Sequence, residues 1–128
     1  MLIELAIRDF ALLERASLAC GGGLNVITGE TGAGKSLLID ALELLLGERA
    51  RSGVVRAGAS EARVEGRFAL VGDDYATEVA RRLAAELPEA LAEAASGGPE
   101  LELILSRTIT REGRSRAHVN HRPVTSRI

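Results

Sequence analysis

An α/β fold is predicted for this chain: a mixed sheet with an antiparallel N-terminal portion and an apolar helix packed on it. Three observations carry that reading. Residues 2–8 alternate apolar and polar side chains with period two. A Gly-rich turn at 29–36 joins a short apolar run to a helical one. Hydrophobic residues make up 46% of 128, with aromatics at only 2%. That is enough apolar material for one domain core, and the core has to be aliphatic.

Taken in order, LIELAIR (2–8) places Ile3, Leu5 and Ile7 on one face and Glu4 and Arg8 on the alternate one, a half-buried strand. ALLERASLA (11–19) is a second strand after a turn near Asp9, and Gly21, Gly22 and Gly23 break it. LNVIT (24–28) is a short buried strand. From Ser36 the period turns helical: Leu38, Leu42 and Leu45 share one face, and Leu37, Ala41 and Leu44 a neighbouring one. A helix so apolar around its girth is expected to lie largely buried against a sheet, with Gly47 as its stop. Residues 48–60 lack periodicity and read as a loop. ARVEGRFAL (62–70) is a further strand, with Val64 and Phe68 on one side. Residues 73–95 are helical, with Pro88 marking a break or a second start. SGGP (96–99) is a turn. LELILSRTIT (101–110) is a long strand in which Leu101, Leu103, Leu105 and Arg107 alternate with Glu102, Ile104 and Ser106. REGR (111–114) is a hairpin turn, RAHVNH (116–121) the partner strand, and Pro123 its end.

The net charge is −2, which does not point to a polyanion partner. Its distribution is uneven. Residues 1–100 hold 10 basic and 16 acidic side chains, and residues 101–128 hold 6 basic and 2 acidic ones. One cysteine, Cys20, cannot form an internal disulfide, so a reducing, intracellular setting is expected, with Cys20 as a small buried hydrophobe. The first ten residues carry Glu4, Arg8 and Asp9, unlike a signal peptide. The longest apolar stretch is interrupted by Asp40 and Glu43 and falls short of the ~20 residues a span needs, so a soluble chain with no membrane partner is expected.

Lys35 is the only lysine among sixteen basic residues. It sits in Gly29-Glu30-Thr31-Gly32-Ala33-Gly34-Lys35-Ser36, which matches the P-loop pattern G-x-x-x-x-G-K-[ST]. Glycines let backbone N–H groups close on a phosphate, and the following helix aims its positive end at the same group. Lys35 would reach the β- and γ-phosphates of ATP as a compact charge, a task a forked arginine fills poorly. The Ser36 hydroxyl would ligate Mg²⁺. All eight residues are candidate nucleotide contacts, with Glu30 and Thr31 acting through their backbones.

The stretch VITGETGAGKSLLIDALELLLGERA (26–50) resembles the RecN family of bacterial DNA-repair ATPases, which are related to SMC proteins. The opening, with Asp9-Phe10-Ala11 in the turn between two strands, looks like the start of that family. The tail SRTITREGRSRAHVNHRPV is similar to its hairpin, while residues 72–100 carry no motif that can be aligned. The resemblance implies a P-loop NTPase fold, with residues 1–128 as the N-terminal lobe of an ABC-type, SMC-like head. The coiled coil, the C-terminal lobe with its signature motif and the Walker B acid would lie elsewhere. This sequence has no heptad stretch and no glutamine. Its polar, uncapped end at Ile128 reads as a cut. The implied function is ATP binding, without efficient hydrolysis by this piece alone, in recombinational repair of DNA double-strand breaks. The implied setting is the bacterial cytoplasm, at the nucleoid. Implied partners are DNA, the C-terminal lobe, a second head sandwiching ATP, and recombination proteins such as the bacterial recombinase.

By the same resemblance Arg56 is a catalytic candidate beside Lys35, approaching the γ-phosphate, with Arg49 and Arg51 as competitors. Each could equally be a solvated loop arginine. Asp40, one turn past Ser36, is expected to pack or hydrogen-bond. Arg107, Arg111, Arg114, Arg116 and Arg122 form a basic hairpin that could meet DNA phosphates, with Arg114 and Arg116 on one side of a strand. A charge-guarded edge strand would look the same. His118 and His121 lack ligand-spaced partners and read as strand residues. The alternative function is a self-standing P-loop phosphotransferase of kinase type. It would carry its own catalytic base and lid arginines.

Overall fold

The computed structural model describes residues 1–21, 32–51, 53–71, 74–96 and 100–125. The expected strand at 24–28 and the loop residues Gly29, Glu30 and Thr31 lie outside the described residues, as do 97–99 of the expected turn. In chain order the elements are β1 (Leu2–Phe10), β2 (Leu13–Ala19), α1 (Gly32–Leu45), β3 (Glu61–Leu70), α2 (Asp74–Glu86), α3 (Pro88–Ala95), β4 (Leu101–Thr110), β5 (Ser115–Val119) and β6 (Arg122–Val124). The described strands form one sheet in the order β2-β1-β3-β4-β5-β6, and all five pairings are antiparallel. Any parallel part of a mixed sheet would have to come from outside the described residues.

All three helices lie on one face of this sheet. Beneath α1, the side chains of Leu5, Ile7, Ala62, Val64 and Ile109 meet Ala41, Leu44 and Leu45. Beneath α2 and α3, Leu103 and Val119 meet Leu83, Ala90 and Ala94. Phe68 and Leu105 pack against both clusters and make them continuous. The seat of α1 is close at Gly66. A Cβ there would stand 2.5 Å from Leu45 Cδ2 and 2.9 Å from the Phe68 ring, so only hydrogen fits between helix and strand. Gly66→Val is therefore expected to cost about 2–3 kcal/mol through overpacking. A urea titration with an unchanged midpoint would show that α1 is not held there.

α1 starts at Gly32, four residues before the first helical residue read from the sequence. Its end is as expected. Gly47 adopts φ 107°, its N–H donates to Leu44 O (3.2 Å), and the Glu48 N–H donates to Glu43 O (3.0 Å). This pair of bonds is a Schellman cap, which needs the left-handed residue that glycine supplies. α1 is expected to lie largely buried, and its burial is one-sided. Ile39 and Leu46 are 56% and 70% exposed, because the described sheet covers only one side of the helix.

The helical stretch divides at Pro88, which occupies the first turn of α3, where its missing N–H costs nothing. Pro123, His121 and Cys20 each differ from expectation. Pro123 does not end a strand: it lies inside β6, at the sheet edge, where a residue without an N–H is tolerated. The strand before it ends at Val119, and Asn120 and His121 turn the chain with φ 46° and 66°. His121 is thus a turn residue rather than a strand residue. Cys20 is half-buried rather than buried.

Candidate functional site

The first turn of α1 is Gly32-Ala33-Gly34-Lys35, and it contains no acidic side chain. The free N–H groups and the positive end of the helix dipole are therefore not offset by the helix's own sequence. Lys35 is half-buried, Ser36 is exposed, and Lys35 forms no ion pair with any described residue. Gly34 is informative for a different reason. A Cβ at this position would meet nothing within 4 Å among the described residues, and its φ is not in the left-handed range. Neither packing nor backbone conformation explains a glycine there.

The Asp9-Phe10-Ala11 turn leans on the loop that follows α1. Asp9 and Ala11 have φ 49° and 52°, unusual for residues with side chains. The strain is held by three backbone contacts. The Ala11 N–H donates to Val54 O (2.6 Å), the Arg56 N–H donates to Asp9 O (2.9 Å), and Phe10 bridges Val55. A cleft of about 180 Å³ lies between this turn and α1, lined in part by Phe10, Leu37, Asp40, Arg49 and Arg51. Arg49 and Arg51 therefore share a cleft with Asp40 on the flank of α1. Arg56 does not line it. Its guanidinium is 3.8 Å from the Glu14 carboxylate on β2, and its side chain is 40% exposed.

The expected basic hairpin separates into different roles. Arg114 and Arg116 are exposed, and the turn before them is closed by the Thr110 N–H donating to Arg114 O (2.9 Å). Arg111 is exposed and reaches Arg56 O (3.4 Å). Arg122 is held by Glu89 and Glu93 of α3. Arg107 cannot meet DNA: it is 4% exposed and lies under the C-terminal end of α1. Its Nη1 donates to Leu44 O (3.1 Å), and its Nη2 donates to Ser115 Oγ (2.7 Å) and Glu48 O (3.4 Å). Burial pushes the guanidinium pKa down from its usual value. The last turn of α1 has no basic residue of its own, so Arg107 supplies the cation that the helix C-terminus favours.

Asn120 has a positioning role that no motif in the sequence announces. Its side-chain Oδ1 accepts from the Ile104 N–H (2.8 Å), and its Nδ2 donates to Ala90 O (3.1 Å), tying α3 to β4. The available signal was an Asn followed by another polar residue between two short strands, the composition of a left-handed hairpin turn. Among the described residues no group of three His, Cys, Asp or Glu side chains could hold a metal. No described helix is long and apolar enough to cross a membrane.

The chain matches the model of a family described as an AAA domain over residues 4–117. It is 42% identical over 118 residues to the DNA repair protein RecN of Streptomyces coelicolor, covering 92% of this chain and 19% of that protein. It is 36% identical over 125 residues to RecN of Bacillus subtilis, covering 98% of this chain and 20% of the relative. The chain thus spans about a fifth of the length of the curated relatives it matches. Among solved structures, the SMC head domain from Thermotoga maritima aligns with a TM-score of 0.65 at 20% identity, covering 98% of this chain and 39% of that one. The recombination mediator RecF aligns with a TM-score of 0.66 at 21% identity, covering 97% and 28%. At these identities the two structures establish the shared fold.

Proposed function

The chain belongs to the RecN family of AAA-domain proteins, and we propose that it is the nucleotide-binding lobe of an SMC-like ATPase acting in repair of DNA double-strand breaks. One observation carries the site. α1 presents Gly34, Lys35 and Ser36 at an N-terminus free of acidic residues, and the glycine has no reason in packing. Residues Gly29 to Ser36 would wrap the triphosphate of ATP. Lys35 would neutralise its terminal charge, and Ser36 would offer a hydroxyl to Mg²⁺. That metal commonly takes one or two protein ligands and completes its shell from phosphates and water, and the exposed Ser36 would supply one of them. Bound Mg²⁺ would offset the charge that builds on the phosphoryl oxygens.

The cleft beside α1 supports Arg49 and Arg51 as nucleotide neighbours as well as Arg56. Arg56 would have to leave Glu14 to act on a γ-phosphate. That exposed pair is 3.8 Å apart and worth at most ~1 kcal/mol, so its loss is a small obstacle. Arg114 and Arg116 remain the hairpin residues able to contact DNA phosphates. Residues 1–128 would form one lobe, completed by a second lobe that carries the hydrolytic acid and by a partner head across the nucleotide. The other partners would be DNA and a recombinase, in the bacterial cytoplasm. The kinase-type alternative loses its support, because the relatives sharing 36–42% of residues are DNA repair proteins.

The expected result for the isolated chain is saturable MgATP binding with phosphate release no faster than the uncatalysed background. Addition of the remainder of the head in trans should raise it. A phosphate-release assay that found robust turnover by the chain alone would reject the split-head reading.

A further inference from the structure

The sheet has a second face, turned away from all three helices, and its register places four arginines in one line. Arg15 of β2 pairs with Arg8 of β1, and Arg8 pairs with Arg63 of β3. Arg63 pairs with Thr108 of β4, and Thr108 pairs with Arg116 of β5. All four arginines are exposed, whereas Ile7, Val64 and Ile109, one residue along their strands, are buried under α1. Directly opposed residues of an antiparallel ladder share a face, so the line runs Arg15, Arg8, Arg63, Thr108, Arg116 across five strands. At 4.7–4.9 Å per strand it is about 19 Å long.

Such a line is unfavourable to the fold. Like charges directly opposite each other destabilise a sheet, and here two such pairs are consecutive. Local carboxylates relieve only part of it. Arg63 is bonded to Glu65 (2.7 Å), while Arg8, Arg15 and Arg116 form no ion pair with any described residue. Elsewhere on this face the charges are matched, as where Arg67 lies between Glu4 (3.5 Å) and Glu102 (3.2 Å). The line, in which only Arg63 has a carboxylate partner among the described residues, also reaches β2, the edge strand of the described sheet. Arg114 stands beside its other end.

We propose that this line is a track for the phosphate backbone of duplex DNA, with Arg8 and Arg15 as contacts as important as the hairpin arginines. Its length spans several phosphates, which recur every ~3.4 Å of axis on one strand. Arginine forks suit phosphate oxygens. None of the five residues is aromatic, so bases are not stacked and binding is independent of sequence. The choice of DNA over another polyanion rests on the DNA-repair reading above.

The test uses the full chain and a short blunt duplex of mixed sequence, with affinity measured by fluorescence anisotropy over a salt series. Arg8→Gln with Arg15→Gln should weaken binding at low salt by roughly tenfold or more. It should also reduce the slope of log K against log salt by about 2, near 0.9 per lost contact. Arg63→Gln with Arg116→Gln should act similarly. Arg81→Gln with Arg82→Gln, on the exposed side of α2, should change neither quantity. Thermal melting confirms that each variant is folded, and MgATP titration of the same samples keeps the two readings apart. Lost DNA binding with intact ATP binding supports the track, and absent ATP binding with the same arginine dependence leaves it standing. Unchanged slope in the Arg8/Arg15 variant, equal loss in the Arg81/Arg82 variant, or binding of heparin but not of duplex would overturn it.

Discussion

Replacing Lys35 with alanine should abolish measurable ATP binding and leave the fold intact. The ammonium stands in the first turn of α1 and spends no part of its charge on a described carboxylate. Its loss therefore removes nothing from the apo protein except a solvated cation. Bound to a triphosphate, it would make charge-assisted hydrogen bonds of ~1.5–3 kcal/mol each. Two such bonds correspond to roughly a hundredfold or more in affinity. Calorimetric titration with MgATP reads this directly, with the melting temperature as the control for folding. Lys35→Arg should not restore the affinity, because a planar fork on a longer stem cannot take the place of a point charge at the mouth of the loop. Lys35 is also the only lysine, so side-chain amine acetylation reports on this one site. ATP should protect it. Unchanged affinity in the alanine variant, or acetylation indifferent to ATP, would remove residues 29–36 from the nucleotide site.

What the sequence disclosed follows a physical division. Period-two alternation located β1, β3 and β4 closely, because one face of each is buried and the other is wet. Pro88 and Gly47 marked helix boundaries because each has a conformation few other residues share. The P-loop pattern at 29–36 stands out in the sequence because its glycines and lysine have a fixed spacing, while Gly29, Glu30 and Thr31 lie outside the described residues. The start of α1 was misplaced because Gly32 and Gly34 are poor helix formers, and only the helix context overrides them. Pro123 misled because an edge strand is invisible until strand order is known. The arginine line was out of reach for the same reason. Arg8, Arg15, Arg63 and Arg116 are scattered in sequence, and only register makes them neighbours.

At Arg107 the periodicity of β4 and the charge of the side chain point in opposite directions. Arg107 alternates with Leu101, Leu103 and Leu105, which put it on the apolar face of β4 from the start, yet its charge argued for the surface. The structure resolves the conflict by giving the guanidinium the carbonyl end of α1. Arg107→Leu is consequently expected to be the most destabilising single change described for this chain. It would take the guanidinium from Leu44 O, which keeps only the Gly47 N–H, and from Glu48 O and Ser115 Oγ, and would remove a cation from the helix C-terminus. Hydrogen bonds from a charged donor are worth ~1.5–3 kcal/mol each and a cation at a helix end up to ~2 kcal/mol, and part of this is recovered by solvent at the exposed Glu48 and Ser115 and by the added apolar contact. A net loss of about 3 kcal/mol lowers the melting temperature by roughly 10 °C for a domain of this size. Arg107→Lys keeps the charge but can satisfy fewer of the three acceptors, so it should fall between the two. Ser115→Ala removes a single bond and should cost only ~1 kcal/mol. The same clamp connects stability to the site. α1 runs from Gly34 and Lys35, the proposed phosphate contacts, to the carbonyls held by Arg107, so a loosened far end should weaken MgATP binding even in samples kept well below their melting point. A leucine variant that melts with the parent would show that the helix is held by its apolar face alone.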